Sequence, residues 1–80
     1  MNDVIRLKLK ELPTDSGVYM MRDKDGAIIY VGKAKNLKNR VSQYFLRPQS
    51  GKVFAMVTHV DHFDFIIVHN EKEAFILEMI

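Results

Sequence analysis

A chain of 80 residues is long enough for one small domain with a thin hydrophobic core. Hydrophobic residues make up 48% of it and charged residues 28%, proportions that are typical of globular proteins rather than of disordered chains. The sequence holds no cysteine, which excludes disulfides, thiolate zinc sites and a cysteine nucleophile. This composition is compatible with the reducing cytoplasm, where we expect the protein to reside. No apolar run approaches the roughly 18 residues of a membrane helix.

The net charge of +2 is unevenly distributed along the chain. Residues 26–60 contain no acid and carry a charge of +6, whereas the remaining residues sum to −4. A cationic block of this kind suits a polyanion, of which nucleic acid is the first candidate. The alternative is a solvated face on which lysine outnumbers glutamate, and charge alone does not decide between the two. The six cations of the block are Lys33, Lys35, Lys38, Arg40, Arg47 and Lys52.

The first half of the chain predicts a short helix followed by a β-hairpin. The helix covers residues 2–11 and ends before Pro13. The hairpin strands are the segments GVYMMR and AIIYVG, rich in β-branched, aromatic and apolar residues, and a four-residue loop over residues 23–26 joins them. This register places Tyr19 directly opposite Tyr30, about 5 Å apart at Cβ.

The second half predicts two helices, a strand and a last helix. Asn36 caps a helix that runs to about Leu46, and Ser50 caps another that runs to about Val60. A strand over residues 62–69 and a final helix over residues 71–80 complete the chain. The inward face of the helix after Ser50 is expected to consist of Val53, Met56, Val57 and Val60. This order of elements predicts an α+β fold in which helices cover a small, mostly antiparallel sheet.

Glu78 is the carboxylate that is hardest to explain structurally. It interrupts the stretch AFILEMI, which is apolar on every side of a helix, so its side chain is expected to be partly desolvated. A buried charge is costly unless it is paired or binds a metal. Mg²⁺ often takes only one or two carboxylates, together with waters and substrate phosphates. The structural alternative is a surface glutamate on a helix whose other faces contact the protein.

The tyrosines, a glycine and one arginine have functional and structural interpretations. Tyr19 and Tyr30 can form an ordinary packing pair, or cations can lower the pKa of one phenol so that it accepts a proton from a nucleophilic water. Gly32 ends the second predicted strand, where a missing side chain lets backbone or a ligand come close. Arg40 is either a bidentate phosphate clamp or a solvated helix arginine.

The ordered set of motifs resembles the GIY-YIG nuclease family. Gly17-Val18-Tyr19 precedes Tyr30-Val31-Gly32, and Arg40 and Glu78 follow. The segment IIYVGKAKNLKNRVSQYF is more specific and is similar to the N-terminal nuclease module of bacterial nucleotide-excision-repair excinucleases. The resemblance covers nearly the whole chain. It implies a small three-stranded antiparallel sheet flanked by helices, and metal-dependent hydrolysis of a DNA phosphodiester on the 3′ side of a lesion.

The resemblance also implies a cofactor, partners and site residues. The cofactor is one divalent ion, Mg²⁺ or Mn²⁺, and the partners are damaged double-stranded DNA and a UvrB-like damage-loading protein. Glu78 matches the metal ligand of the family. The matching catalytic residues are Tyr19, Tyr30, Lys33, Arg40 and Tyr44. We favour Tyr30 as the base because Lys33 follows it closely along the chain. The sequence keeps Tyr19 as the alternative base. The other cations, Lys35, Lys38, Arg47 and Lys52, are expected to contact the DNA backbone.

Two further functional hypotheses stay open. A non-catalytic DNA-binding module would keep the fold and the basic face, and Ile80 favours it, since that position is usually asparagine in the family. A structural docking domain would present methionine and aromatic surface to a partner protein. We expect a single domain over residues 1–80. Either it is a nuclease module shortened at its C-terminus, or it is a stand-alone relative.

Overall fold

Three helices and three strands make up residues 2–69, the part of the chain that the computed structural model describes. The strands form one antiparallel sheet in the order β2-β1-β3. The α+β fold with a three-stranded antiparallel sheet is therefore confirmed, while the predicted last helix lies outside the described residues. The elements are α1 (Asp3–Glu11), β1 (Gly17–Arg22), β2 (Ile28–Ala34), α2 (Leu37–Leu46), α3 (Gly51–His59) and β3 (His62–Ile67).

Local capping explains where the first two helices begin. The side chain of Asn2 accepts a hydrogen bond from the Ile5 N–H at 2.8 Å, and the side chain of Asn36 accepts one from the Asn39 N–H at 3.0 Å. Both bonds satisfy N–H groups that the first helical turn leaves without a partner. Ser50 precedes α3 as predicted, but its side chain makes no capping bond. Within residues 2–69, every helix is too short or too polar to cross a membrane.

The hydrophobic core lies between one face of the sheet and the helices. Tyr19, Met21 and Phe63 of the sheet are at most 2% exposed, and Leu37 and Val41 of α2 pack with them. The predicted inward face of the helix after Ser50 is only partly correct. Val60 is buried and Met56 and Val57 are half-buried, but Val53 is exposed. The helix α3 therefore rests on the core without entering it.

The loop of the hairpin is one residue shorter than predicted. The Gly26 N–H bonds to the Asp23 carbonyl, and the Asp23 N–H bonds to the Ala27 carbonyl, each at 3.0 Å. Asp23 therefore faces Ala27, which Arg22 was predicted to face. Gly26 makes this tighter connection possible because its φ of +82° lies in the left-handed region that glycine adopts without strain.

A β-bulge displaces the hairpin by one further residue. Met21 pairs with Tyr30 and Arg22 pairs with Ile28, so the register leaves Ile29 as the extra residue of β2. Together the loop and the bulge shift the register by two, and Tyr19 lies opposite Gly32. The predicted direct Tyr19–Tyr30 pair is wrong. Because an even shift preserves the faces of a strand, the two tyrosines still share one face as diagonal neighbours.

A small ion-pair network fastens the sheet to α1. Asp64 accepts hydrogen bonds from Arg22 Nε at 2.9 Å and from Lys8 Nζ at 3.3 Å. Partial burial disfavours the charged carboxylate, but the bonds from Arg22 and Lys8 outweigh this effect and lower its pKa. Residues from α1, β1 and β3 meet in this network, away from the tyrosines.

Candidate active site

Three tyrosines from three elements meet beside the edge strand β2. We call Tyr19 of β1, Tyr30 of β2 and Tyr44 of α2 the tyrosine cluster. Their ring centroids are 5.9 to 6.1 Å apart, and none of the ring pairs is parallel. The hydroxyls of Tyr19 and Tyr44 share a hydrogen bond of 2.9 Å. The chain contains three tyrosines, so the cluster gathers every phenol that the protein has.

Gly32 makes the position of the Tyr19 ring possible. Tyr19 of β1 lies directly opposite Gly32 of β2. A Cβ atom at Gly32 would overlap the hydroxyl oxygen and Cζ of Tyr19. Gly32 lies inside β2, which continues to Ala34, so the prediction that it ends the strand is wrong. The predicted close approach does occur, and the approaching group is the ring of Tyr19.

Two phenols of the cluster are harder to ionise than an ordinary tyrosine. Burial foremost, then the bond to Tyr44, raises the pKa of Tyr19. Hydrogen bonding to Tyr44 foremost, then partial burial, raises the pKa of Tyr30, and the positive charge of Arg40 only partly counteracts this. The prediction that nearby cations lower the pKa of one of these phenols is therefore wrong for the protein without a bound ion.

The two phenols differ strongly in exposure. Tyr19 is 2% exposed and Tyr30 is 40% exposed. Tyr30 can therefore meet water or a ligand directly, whereas Tyr19 is almost entirely enclosed by the protein. The arrangement provides one solvent-facing phenol, supported by two others and lying within the field of Arg40.

A groove next to the cluster collects the predicted cations. We call it the basic groove. It has a volume of about 870 Å³ and runs between the end of β2, the first two turns of α2 and the residues after β3. Lys33, Lys35 and Arg40 line it, and no acid among the described residues does. Such a surface suits a chain of phosphates.

The remaining predicted site residues fall elsewhere. Lys38, Arg47 and Lys52 are exposed, but none of them lines the basic groove. Glu78 lies outside the described residues. Within residues 2–69, no group of three histidine, aspartate or glutamate side chains gathers to hold a metal ion.

Two amides that line the groove, Asn39 and Gln43, are not among the predicted site residues. A signal for them exists in the sequence. Asn36, Arg40 and Gln43 follow helical spacing, and Asn39 and Gln43 are four residues apart, so all of these residues lie along one side of the predicted helix. The side chains of Asn39 and Gln43 are neutral, so they do not contribute to the charge of the cationic block, and they are not among the GIY-YIG motif residues.

Comparison with known proteins places this chain in one family. Residues 15–80 match the UvrC-like GIY-YIG domain. The chain therefore belongs to the UvrC-like GIY-YIG domain family.

Relatives at high sequence identity agree with this assignment. The UvrABC system protein C of Oenococcus oeni is 51% identical over 77 residues, and that of Lacticaseibacillus casei is 57% identical over 75 residues. These alignments cover 96% and 94% of this chain but only 13% and 12% of the relatives, so the chain spans about one eighth of their length.

Solved structures are similar over almost the whole chain. One is the GIY-YIG N-terminal endonuclease domain of UvrC from Thermotoga maritima, bound to its catalytic divalent cation, magnesium. It is 47% identical, has a TM-score of 0.85, and the match covers 99% of this chain and 86% of that one. A point mutant of the same domain, also bound to the divalent cation, is 46% identical with a TM-score of 0.86.

Proposed function

We propose that this chain is the catalytic module of a metal-dependent DNA endonuclease that hydrolyses one phosphodiester bond on the 3′ side of a lesion. The observation that carries the proposal is the position of an exposed phenol, Tyr30, within the field of Arg40, which lines a groove that no acid among residues 2–69 lines. The magnesium-bound endonuclease domain of Thermotoga maritima, at 47% identity, supports the same activity.

Arg40 and Lys33 would bind the scissile phosphate. Both line the basic groove, and a guanidinium can grip two phosphoryl oxygens at once. Their charges offset the negative charge that develops on those oxygens as the bond to water forms. Lys35 lines the same groove and extends the contact along the strand, while Lys38, Arg47 and Lys52 would contact phosphates outside the groove.

Tyr30 would orient the attacking water and accept its proton. Its exposure supports this choice over Tyr19, which is almost completely buried. Because its pKa is raised, Tyr30 holds its proton near neutral pH, so it acts as a base only when a bound cation and the phosphate clamp favour the phenolate. Tyr19 and Tyr44 would position its ring.

Glu78 would hold the divalent ion, Mg²⁺ or Mn²⁺. Mg²⁺ often takes only one or two carboxylates, together with waters and substrate phosphates, so a single carboxylate is sufficient as the protein ligand. When bound, such an ion polarises the phosphate and stabilises the leaving 3′ oxygen. A measurement separate from activity is Mn²⁺ binding by electron paramagnetic resonance, which Glu78→Ala should weaken and Glu11→Ala, on α1, should not.

The proposed setting is the cytoplasm, on damaged double-stranded DNA and together with a UvrB-like damage-loading protein. The relatives' name, UvrABC system protein C, supports an assembly with other proteins of that system. If loading by that partner supplies the lesion specificity, this chain alone should nick DNA with little preference for lesions.

Nicking of lesion-containing duplex DNA with Mg²⁺ or Mn²⁺, with and without the loading partners, tests the proposed activity. Arg40→Ala should lower the nicking rate about 10²- to 10³-fold, the range for the loss of one charge-stabilising donor, while the fold remains intact. Lys24→Ala, in the hairpin loop, is the matched control and should leave the rate unchanged. A wild-type rate in Arg40→Ala would contradict the assigned role. Salt-sensitive DNA binding without any metal-dependent cleavage would favour the non-catalytic module instead.

A further inference from the structure

The basic groove continues past the proposed catalytic residues. It begins at Lys33 and Arg40 and extends to the loop before β1 and the residues after β3. The tyrosine cluster does not line this extension, so the chemistry proposed for Tyr30 does not account for it. The polar groups that α2 contributes here, other than Arg40, are side-chain amides, and those of Asn39 and Gln43 have no assigned role.

Asn39 and Gln43 are available to a ligand. Both side chains are exposed, and among residues 2–69 neither side-chain amide makes a hydrogen bond. The backbone that carries them is fixed, because the Asn36 side chain caps the first turn of α2 and Gln49 Nε2 donates to the Gln43 carbonyl at 2.8 Å. Uncommitted amides on a rigid helix can contact a ligand at little entropic cost.

The N-terminus of α2 is not the binding element. The Leu37 and Lys38 N–H groups bond to the carbonyls of Asp15 and Pro13, each at 3.0 Å, and the Asn39 N–H bonds to the Asn36 side chain. The first-turn donors that would otherwise hold an anion are therefore occupied. A ligand in this part of the groove has to be held by side chains.

We propose that Asn39 and Gln43 bind the sugar–phosphate backbone of the DNA strand next to the scissile phosphate. Asn39 and Gln43 are four residues, about 6 Å, apart along one side of α2, so their amides can contact neighbouring groups of one DNA strand. Asparagine and glutamine are common phosphate contacts that set register without reading sequence. This inference rests on the proposed function, since it takes DNA as the ligand.

Binding measured without metal tests the proposal separately from cleavage. Fluorescence anisotropy with a labelled duplex compares the 80-residue chain with the double variant Asn39→Asp and Gln43→Glu. We expect about tenfold weaker binding, because two carboxylates would face phosphates. The matched control is Val4→Asp with Leu7→Glu. It makes the same change in net charge at exposed positions of α1 outside the groove, and it should change affinity less than twofold.

Each outcome of this comparison has a defined meaning. Equal weakening in both double variants would mean that only net charge matters and would overturn the proposal. Unchanged affinity in the groove variant would overturn it too, while DNA binding by the chain would stand. No binding by the wild-type chain would also overturn it. Absence of nicking, by contrast, would count against the proposed function and leave this binding comparison intact.

A cross-linking experiment tests proximity directly. Because the chain has no cysteine, one introduced thiol is unique. Asn39→Cys and Gln43→Cys should form disulfides with DNA that carries a thiol tether on a backbone phosphate near the cleavage site. Thr58→Cys is the control, since Thr58 is exposed on α3 and lines a separate acidic depression. Equal cross-linking of all three, after normalisation to a small thiol reagent, would contradict the placement.

Discussion

Tyr19 is almost completely buried, and its hydroxyl shares a hydrogen bond with that of Tyr44. Its ring lies over Gly32, where even one additional carbon would overlap it. The glycine of each motif, Gly17 in the first and Gly32 in the second, is required because a side chain there would overlap a neighbouring group. A Cβ at Gly17 would overlap the Ile66 carbonyl of β3. At the residue scale, the two motif glycines let β1 approach its two neighbours closely, and one of them makes room for a tyrosine.

The raised pKa values predict how the tyrosines titrate. The chain has no tryptophan, so absorbance at 295 nm reports its three phenols alone. Two of them, Tyr19 and Tyr30, should ionise with pKa values above the ordinary phenol pKa of 10.0. A raised phenol pKa means that the folded protein binds more protons than the unfolded chain above that pH, so stability should fall as the pH rises beyond 10. Titration of all three phenols at or below pH 10 would contradict this.

Gly32→Ala should disturb the proposed active site without replacing any of its functional side chains. The new methyl overlaps the buried Tyr19 ring, and overpacking of this kind typically costs about 1–3 kcal/mol. We expect a lower free energy of unfolding in urea together with slower nicking. Val31→Ala, at the preceding exposed position of the same strand, is the control and should change both less. Equal effects of the two variants would count against the steric explanation.

At the scale of the elements, α2 organises the site. Leu37 and Val41 fix the helix against the core, Tyr44 reaches the cluster, and Arg40 faces the basic groove. The hairpin contributes through its two irregularities. The left-handed Gly26 and the bulge at Ile29 each displace the register by one residue, and together they return both tyrosines to one face.

Asn36→Ala should loosen the start of α2. The variant loses the side-chain bond to the Asn39 N–H, and loss of such a cap costs about 1 kcal/mol. Because Arg40 and Asn39 are within one turn of the cap, we expect weaker DNA binding as well as a lower melting temperature. Asn36→Asp retains a capping oxygen and should keep most of the stability. A melting temperature equally low in both variants would contradict capping as the cause.

At the scale of the whole molecule, charge is separated along the chain and in space. The acid-free block over residues 26–60 supplies Lys33, Lys35 and Arg40, the lysines and arginine that line the basic groove among residues 2–69. Acids that flank it, including Asp23, Asp25 and Asp61, line a different depression. A small net charge is therefore consistent with one strongly cationic side that attracts a polyanion.

This separation predicts a salt-dependent affinity for DNA. The logarithm of the binding constant should fall linearly with the logarithm of the salt concentration, because bound phosphates release counterions. Lys38→Ala should reduce the slope by about 1 if Lys38 contacts a phosphate. Lys10→Ala, on α1 outside the acid-free block, should leave the slope unchanged. Equal slopes in wild type and Lys38→Ala would place Lys38 outside the interface.

The sequence alone determined the fold class, the cap of α2, the approximate positions of the strands and the cationic block. These features depend on residues within a few positions of one another: Asn36 caps its own helix, and Arg47-Pro48 ends it. It also identified the family and most of the residues that meet in the site. The tertiary structure decided the register of the hairpin, the approach of Tyr19 to Gly32, the raised phenol pKa values and the amides of the groove. Each of these depends on contacts between different elements, such as the bond from Tyr19 to Tyr44 across 25 positions, and local patterning does not encode the geometry of such contacts.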